Sequence, residues 1–286
     1  MFKYKVEMFF ILLAKKIIML FPEEKRYRIG EAIGRLAYKV IKDRREITLD
    51  NISKAFPEMS KVEVEKMAIK SYETMLKTFI MSLWVPDMVE DDNKVKYENF
   101  ELFEKVYKEG NGVLIATLHM GAFEASLKLA KDYDLYDVIR RTKNPYLDKM
   151  MNDNRKKTGV NLIYKDNNTM KHLINAIKNK AVVALFSDHY QGSSQTEVEF
   201  FGRQTKASSG AVTLSMKYNI PVLVAYNLFN EDNTCTIYFD RLMELELTGD
   251  KRKDIDYNTQ RLTDIFEEII KKHPEQWMWF HKRWKN

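Results

Sequence analysis

Beyond residue 99 the chain alternates short runs of branched and aromatic residues with longer stretches spaced for helices. The runs "GVLIATL" (112–118), "YDVIR" (136–140), "NLIY" (161–164), "AVVALF" (181–186) and "EVEFF" (197–201) come first, and "PVLVAYNLF" (221–229) and "TCTIYFD" (234–240) close the series. Between them lie "AFEASLKLAKDY", "PYLDKMMNDNRKKT" and "TMKHLINAIKN". Alternation of this kind predicts strands that return in one direction under a cover of helices. The pair near 221–240 reads as antiparallel. The expected fold class is α/β, with a central, largely parallel mixed sheet flanked by helices.

The preceding segment has a different texture. Residues 23–95 carry helical spacing, as in "KRYRIGEAIGRLAYKVI" and "MSKVEVEKMAIKSYETMLKTFIMSLW". In the second, Ser60 and Glu63 have capping-box spacing, and Val64, Met67, Ala68, Met75, Leu76, Phe79 and Ile80 recur at three and four, so one face should be buried. These methionines are core residues on this reading. There is no repeat and no linker, so the helical portion (23–95) and the α/β core (96–286) are expected to form one compact unit.

Residues 1–22 stand apart. An apolar stretch from Met8 to Phe21 is broken by Lys15 and Lys16 and stopped by Pro22. It is shorter than the roughly 20 apolar residues that span a bilayer, and no small-residue cleavage site follows it. A helix lying in the headgroup layer fits this pattern. An amphipathic core helix is the competing reading.

With 45% hydrophobic and 31% charged residues, the composition is that of a globular protein. Forty-seven basic against 41 acidic residues give a net charge of +6. That excess suits an anionic lipid surface or an acidic carrier, although solvated lysines alone could produce it. No basic stripe interleaved with aromatics runs through the chain, which argues against a nucleic-acid partner. The single Cys235 excludes an internal disulfide framework and points to a reducing, cytoplasmic compartment.

The chemistry concentrates in "LHMGAFE" (118–124). Five residues of helix turn through roughly 500°, which would leave His119 and Glu124 about 140° apart. A strand ending before His119, a turn at Gly121 and a helix carrying Glu124 could instead bring them together at the sheet edge where functional groups collect. An imidazole oriented by a carboxylate, with no evident serine or cysteine nucleophile, suits general-base chemistry on a bound hydroxyl. A structural histidine, with Glu124 favouring the helix N-terminus, remains the alternative.

Further candidates lie beyond later strands. Arg140 or Arg141 could bind a phosphate or an oxyanion, or form a solvated basic turn. Asp188 and His189 follow another strand, and with His119 and Glu124 could be imagined around a metal. No metal-binding motif supports that, and neither a metal nor another cofactor is expected. There is no G-x-S-x-G elbow or P-loop, so Ser208 and Ser209 are poor nucleophiles. His172 is expected on a helix surface.

Several segments together resemble a known family. "RREITLDNISKAFPEMS", "HMGAFE", "IRRTKNPYLD", "SDHYQG", "VEFFGRQTKASSGA" and "HPEQWMWFHKRWK", in this order after a short apolar N-terminus, are similar to the late acyltransferases of bacterial lipid A biosynthesis. Those enzymes share a glycerolipid-acyltransferase-like fold with phosphatidylinositol mannoside acyltransferases. The resemblance implies transfer of a fatty acyl chain from acyl carrier protein, or acyl-CoA, to a hydroxyl of a membrane glycolipid at the cytoplasmic face of the inner membrane. It implies catalytic roles for His119 and Glu124 and an oxyanion or phosphate contact for Arg140. Asn144, Asp188, Arg203 and Arg283 are the further substrate-binding candidates. Tyr190 stands where a second acid often lies, a departure that puts an acidic pair at 188–190 in doubt. The aromatic and basic C-terminus, including Trp277, Trp279, His281 and Trp284, suits a membrane interface or internal packing equally. Acyl transfer to another phospholipid or glycolipid, and hydrolysis of a lipid ester or thioester, are the competing functions.

Overall fold

The computed structural model describes residues 1–189 and 195–284; Tyr190 lies outside them. Five helices come first: α1 (Phe2–Met19), α2 (Glu23–Val40), α3 (Lys42–Ala55), α4 (Lys61–Met81) and α5 (Val85–Glu90). The core then runs β1 (Val95–Glu98), α6 (Phe100–Lys108), β2 (Val113–Thr117), a 3-10 helix (Phe123–Lys131), β3 (Leu135–Ile139), α7 (Pro145–Lys156), β4 (Asn161–Tyr164), α8 (Thr169–Lys178) and β5 (Val182–Phe186). A hairpin of β6 (Gln195–Phe200) and β7 (Arg203–Ser208) follows, then α9 (Gly210–Tyr218), β8 (Val222–Phe229), β9 (Cys235–Met243) and α10 (Lys251–Lys272).

Seven strands form one sheet in the order β1-β9-β8-β2-β5-β3-β4. The α/β class and its largely parallel mixed sheet are thus as the sequence implies. The run from β8 through β2, β5 and β3 to β4 is parallel, whereas β9 returns antiparallel beside β8. Central β2 is buried at all five residues and β8 at all eight, which is why both read as unbroken apolar runs. Apolar residues on the two faces of the sheet belong to two separate core clusters.

Two strands escape the apolar pattern. In β1, only Val95 is buried, because the strand is short and sits at the sheet edge. In β7, paired with β6 outside the main sheet, mainly Ala207 is buried, so its sequence "RQTKAS" stays polar. The segment 123–131, expected to be an α-helix, is a 3-10 helix. Its entry is forced by Gly121, whose φ is +49°. A Cβ there would sit 2.3 Å from the Asn227 carbonyl oxygen and 2.8 Å from the Leu228 Cα, so only glycine fits.

The capping box of α4 forms as expected between Ser60 and Glu63. This helix ties the helical portion to the sheet edge. Thr78 Oγ1 donates to the Gly121 carbonyl at 2.7 Å, and Ser71 Oγ to the Trp277 carbonyl at 2.6 Å. Helix α1 differs: of its residues only Ile18 is buried, and Phe2, Phe9, Phe10 and Leu12 are exposed. No helix among the described residues is long and apolar enough to cross a membrane.

Candidate active site

Parallel strands β2 and β5 are hydrogen-bonded neighbours in register, with Thr117 opposite Phe186. Two residues beyond each of those positions come His119 and Asp188, so the register carries an imidazole and a carboxylate to the same point above the strand ends. His119 Nδ1 lies 2.9 Å from Asp188 Oδ1, and the His119 amide donates to Oδ2 at 3.0 Å. Trp277 Nε1 donates to the same oxygen at 2.9 Å. Burial alone would favour a neutral Asp188. The neighbouring His189 and His119 imidazoles and the His119 hydrogen bonds outweigh it and hold the carboxyl well below the usual range. An ionised carboxylate only accepts, so Nδ1 carries the ring proton and Nε2 keeps its lone pair. Nε2 has no hydrogen-bond partner among the described residues, and the ring lines an open cleft, stacked on Phe186 at 4.2 Å.

Glu124 does not fill the role expected for it. Its carboxylate receives Arg155 Nε at 3.1 and 3.0 Å and is also bonded by Nη2. The 3-10 helix carries Glu124 into the protein, where it is 4% exposed and meets the guanidinium from the end of α7. Burial would lower the Arg155 pKa, but the Glu124 contact overrides this and raises it. The residue that orients His119 is therefore Asp188, while Glu124 anchors Arg155 in the cleft wall. Asp188, expected from sequence to contact substrate, instead has both oxygens taken by the protein.

The remaining candidates separate cleanly. Arg140 is exposed and lines the cleft beside His119. Arg141 stacks on Tyr164, 4.0 Å from the ring centroid. The Asn144 side chain is used within the protein: Oδ1 caps α7 by accepting from the Tyr146 and Leu147 amides, and Nδ2 donates to the Tyr4 carbonyl and to Glu7 Oε2 of α1. Arg203 is exposed at the start of β7 and donates to the Lys54 carbonyl, outside the cleft. Arg283 is buried, with Nη1 donating to Thr205 Oγ1 and the Lys206 carbonyl and its guanidinium over Phe200. Both arginines bind protein carbonyls rather than an open site. His172 is exposed, as expected.

The C-terminal aromatics are packing residues. Trp277 and Trp279 are fully buried and Trp284 nearly so. They secure the histidine turn from behind: the Met278 amide donates to the His119 carbonyl at 3.1 Å and the Gly121 amide to the Gln276 carbonyl at 2.8 Å. The Gly121 amide is thus spent and cannot serve an oxyanion. Asn51 Nδ2 bonds the carbonyls of Trp279 and His281 at 2.7 Å each, which ties α3 to the same segment.

His119, Asp188 and His189 have ligand atoms within 4.8 Å of one another. Three N–H donors already occupy the Asp188 oxygens, and Glu124, the fourth ligand imagined from sequence, belongs to Arg155. That donor set matches a hydrogen-bonded pair better than a metal centre. The cleft itself has a volume of about 310 Å³. Phe79, Phe123, Met151 and Met278 give it apolar walls, and Asp137, Arg140 and Arg155 supply charge.

A sheet-edge cleft with a histidine whose free nitrogen faces a partly apolar space defines a site able to draw a proton from a bound hydroxyl. Over residues 1–286 the chain matches the family of bacterial lipid A biosynthesis acyltransferases, and it belongs to that family. It is an acyltransferase. The chain is 24% identical over 289 residues to a lipid A biosynthesis lauroyltransferase of Escherichia coli K12, covering 94% of this chain and 88% of the relative. It is 23% identical to the myristoyltransferase of that organism, covering 93% and 82%, and 22% identical to its palmitoleoyltransferase, covering 90% and 84%.

Proposed function

We propose that this acyltransferase moves a fatty acyl chain from an acyl-carrier-protein thioester to a hydroxyl of a lipid A precursor, with His119 as general base and Asp188 as the group that orients it. The observation that carries the reading is the imidazole pinned by Asp188 at the cleft. His119 Nε2 takes the proton of the acceptor hydroxyl as its oxygen attacks the thioester carbonyl. A C–O bond forms, the C–S bond breaks, and the leaving thiolate recovers the proton from His119. Asp188 stabilises the imidazolium between these steps, and Arg140 offers its charge to the developing oxyanion. Exposed Arg140 in the cleft, followed in sequence by exposed Arg141 and Lys143, suits a phosphorylated lipid or an acidic carrier protein.

The protein works at the cytoplasmic face of the inner membrane on this reading. Support comes from α1, whose exposed Phe2, Val6, Phe9, Phe10, Leu13 and Ile17 form a surface suited to the lipid interface. The Asn144 contacts with Tyr4 and Glu7 keep that helix beside α7, whose residues Met151, Asn152 and Arg155 line the cleft.

The test is to incubate the purified protein and its His119→Ala variant with acyl-carrier-protein thioesters and a lipid A precursor, then weigh the lipids. A mass gain of one acyl chain, reduced by at least about a hundredfold in the variant, is expected from the size of a general-base contribution. Free fatty acid without acylated lipid would instead identify a hydrolase. Sedimentation with anionic vesicles checks the membrane reading: removing residues 1–21 should abolish it, and persistent binding would place the lipid contact elsewhere.

A further inference from the structure

Among the described residues, four carboxylates lie in the cleft or bond to residues that line it, and three are fully engaged. Glu124 is bound by Arg155, and Asp188 by His119 and Trp277. Asp148 accepts from the Thr142 amide at 2.7 Å and from Asn152 Nδ2 at 3.1 Å. The fourth, Asp137 on β3, is different. Its Oδ1 is buried and has no hydrogen-bond partner, although the residue lines the cleft alongside His119, Arg140 and Arg155. The Arg155 guanidinium does not relieve it, because its hydrogen bonds go to Glu124 and Asn152.

A buried oxygen left unpaired costs about 1–3 kcal/mol, and buried carboxylates are ordinarily satisfied. An unpaired oxygen of a residue that lines a substrate cleft has a natural partner in the substrate. We propose that Asp137 is a substrate-binding residue whose Oδ1 accepts a hydrogen bond from an O–H or N–H group of the molecule bound in the cleft. The inference rests on the acyl-transfer reading for the identity of that molecule: a hydroxyl or amide of the lipid acceptor, or an amide of the thioester donor's arm. The surrounding charges fit the role. Burial, reinforced by the Glu124 carboxylate, pushes the Asp137 carboxyl up to about 6 against the pull of Arg155 and His119. Above that pH it is an ionised acceptor, and below it the group carries a proton and can no longer accept in the same way.

The experiment compares Asp137→Ala and Asp137→Asn with the wild type in two titrations, one of the lipid A precursor and one of the acyl-carrier-protein thioester. Asp137→Ala should lower kcat/KM about ten- to a hundredfold for the substrate that makes the contact, chiefly through KM, as expected for a lost hydrogen bond to a charged group. Asp137→Asn keeps a carbonyl oxygen and should recover part of the loss. A KM rise in the lipid titration assigns the contact to the acceptor, and a rise in the thioester titration assigns it to the donor. A change of less than about twofold in both overturns the proposal.

Thermal unfolding supplies a readout independent of turnover. If Oδ1 is unpaired in the free protein, Asp137→Asn should unfold at the same temperature as wild type or higher at pH 7.5, with the gain fading towards pH 4. The sign follows from the raised pKa: the folded state holds the proton more tightly, so its disadvantage is present above pH 6 and disappears below the ordinary carboxylate range. A lower Tm for Asp137→Asn at pH 7.5 would mark the side chain as structural and overturn the proposal. Wild-type protein that acylates no lipid A precursor would refute the functional reading before any variant is compared, while the unfolding result would still judge Asp137.

Discussion

Asp188 and Glu124 are equally buried, each 4% exposed, yet one holds an imidazole and the other a guanidinium. That difference decides which can serve proton transfer. A guanidinium stays charged throughout the working pH range, so the Glu124–Arg155 pair can only fix position and supply a field. An imidazole alternates between neutral and charged, and a carboxylate beside it selects the tautomer and stabilises the charge when it forms. Two buried carboxylates beside one cleft thus divide, under the proposed mechanism, into a support for His119 and an anchor for Arg155. Sequence proximity favours the wrong one.

The division makes unequal demands on substitution, and the largest expected effect is on rate. Asp188→Asn keeps the shape but removes the charge that fixes the His119 tautomer. Turnover should fall by about 10²–10⁴, the range of a general-base contribution, with KM for either substrate changed little. A loss expressed mainly in KM would mean that Asp188 serves substrate binding and would collapse the distinction.

Glu124→Gln should act in the opposite currency, through stability. It leaves the largely buried Arg155 guanidinium, 18% exposed at the cleft, without its anion, and breaking a buried pair costs at most about 3–5 kcal/mol. Measured Tm should therefore drop well below that of Asp188→Asn. Replacing both partners, as Glu124→Gln with Arg155→Met, should recover much of the Tm because no charge remains stranded. If the double variant recovers stability and still transfers acyl chains, the pair is an anchor. Recovered stability with no turnover would give Arg155 a direct part in the reaction.

How much of this was legible in the sequence depends on the distance between the partners. The strand before His119 and the strand before Asp188 were both readable as apolar runs, and each functional residue falls two positions beyond a strand. Missing was the order of the strands. Only the β2–β5 pairing brings residues 119 and 188 together, and no local pattern encodes which strands are neighbours. The Glu124 reading had the turn right and the direction wrong, because whether the helix aims its second residue at the cleft or the interior depends on where Arg155 lies. Asn144, Arg203 and Arg283 bond to protein groups outside the cleft for a related reason: polar residues between elements serve caps and carbonyls as readily as ligands. Arg155 had a weak signal at the end of an amphipathic helix, and Trp277 had none that separated packing from membrane contact.

Acid should expose a third member of the site. Burial pushes His189 well below the ordinary histidine range, overcoming the attraction of Asp188 and aided by His119, His281 and Arg283. The folded state therefore refuses a proton that the unfolded chain accepts below about pH 6.5. Stability is fully present above that pH, and each pH unit below it costs about 1.4 kcal/mol for as long as His189 stays neutral. Asp137, with its raised pKa, opposes this trend between pH 6 and 4. Unfolding curves of wild type and His189→Gln across pH 5–8 separate the two, since the variant should lose the acid slope that sets in as pH falls below about 6.5. An unchanged slope would remove His189 as its cause.

The smallest effect tests how far the catalytic support extends behind Asp188. Trp277→Phe keeps an aromatic ring but deletes the indole N–H that reaches Asp188 Oδ2 at 2.9 Å. Asp188 would retain two donors, both from His119, so the carboxylate should stay ionised but be held less firmly. A hydrogen bond to a charged group is worth about 1.5–3 kcal/mol, and only the part that changes between ground and transition state affects rate. The expected result is a kcat lower by about three- to tenfold, with a Tm lowered by a few degrees from the lost bond and the smaller ring. If Tm falls and kcat does not, Trp277 supports the turn by packing alone, and the catalytic unit ends at Asp188. A fall in kcat at nearly constant KM would extend that unit to the C-terminal segment, so that residues from β2, β5 and the chain's end together fix one imidazole.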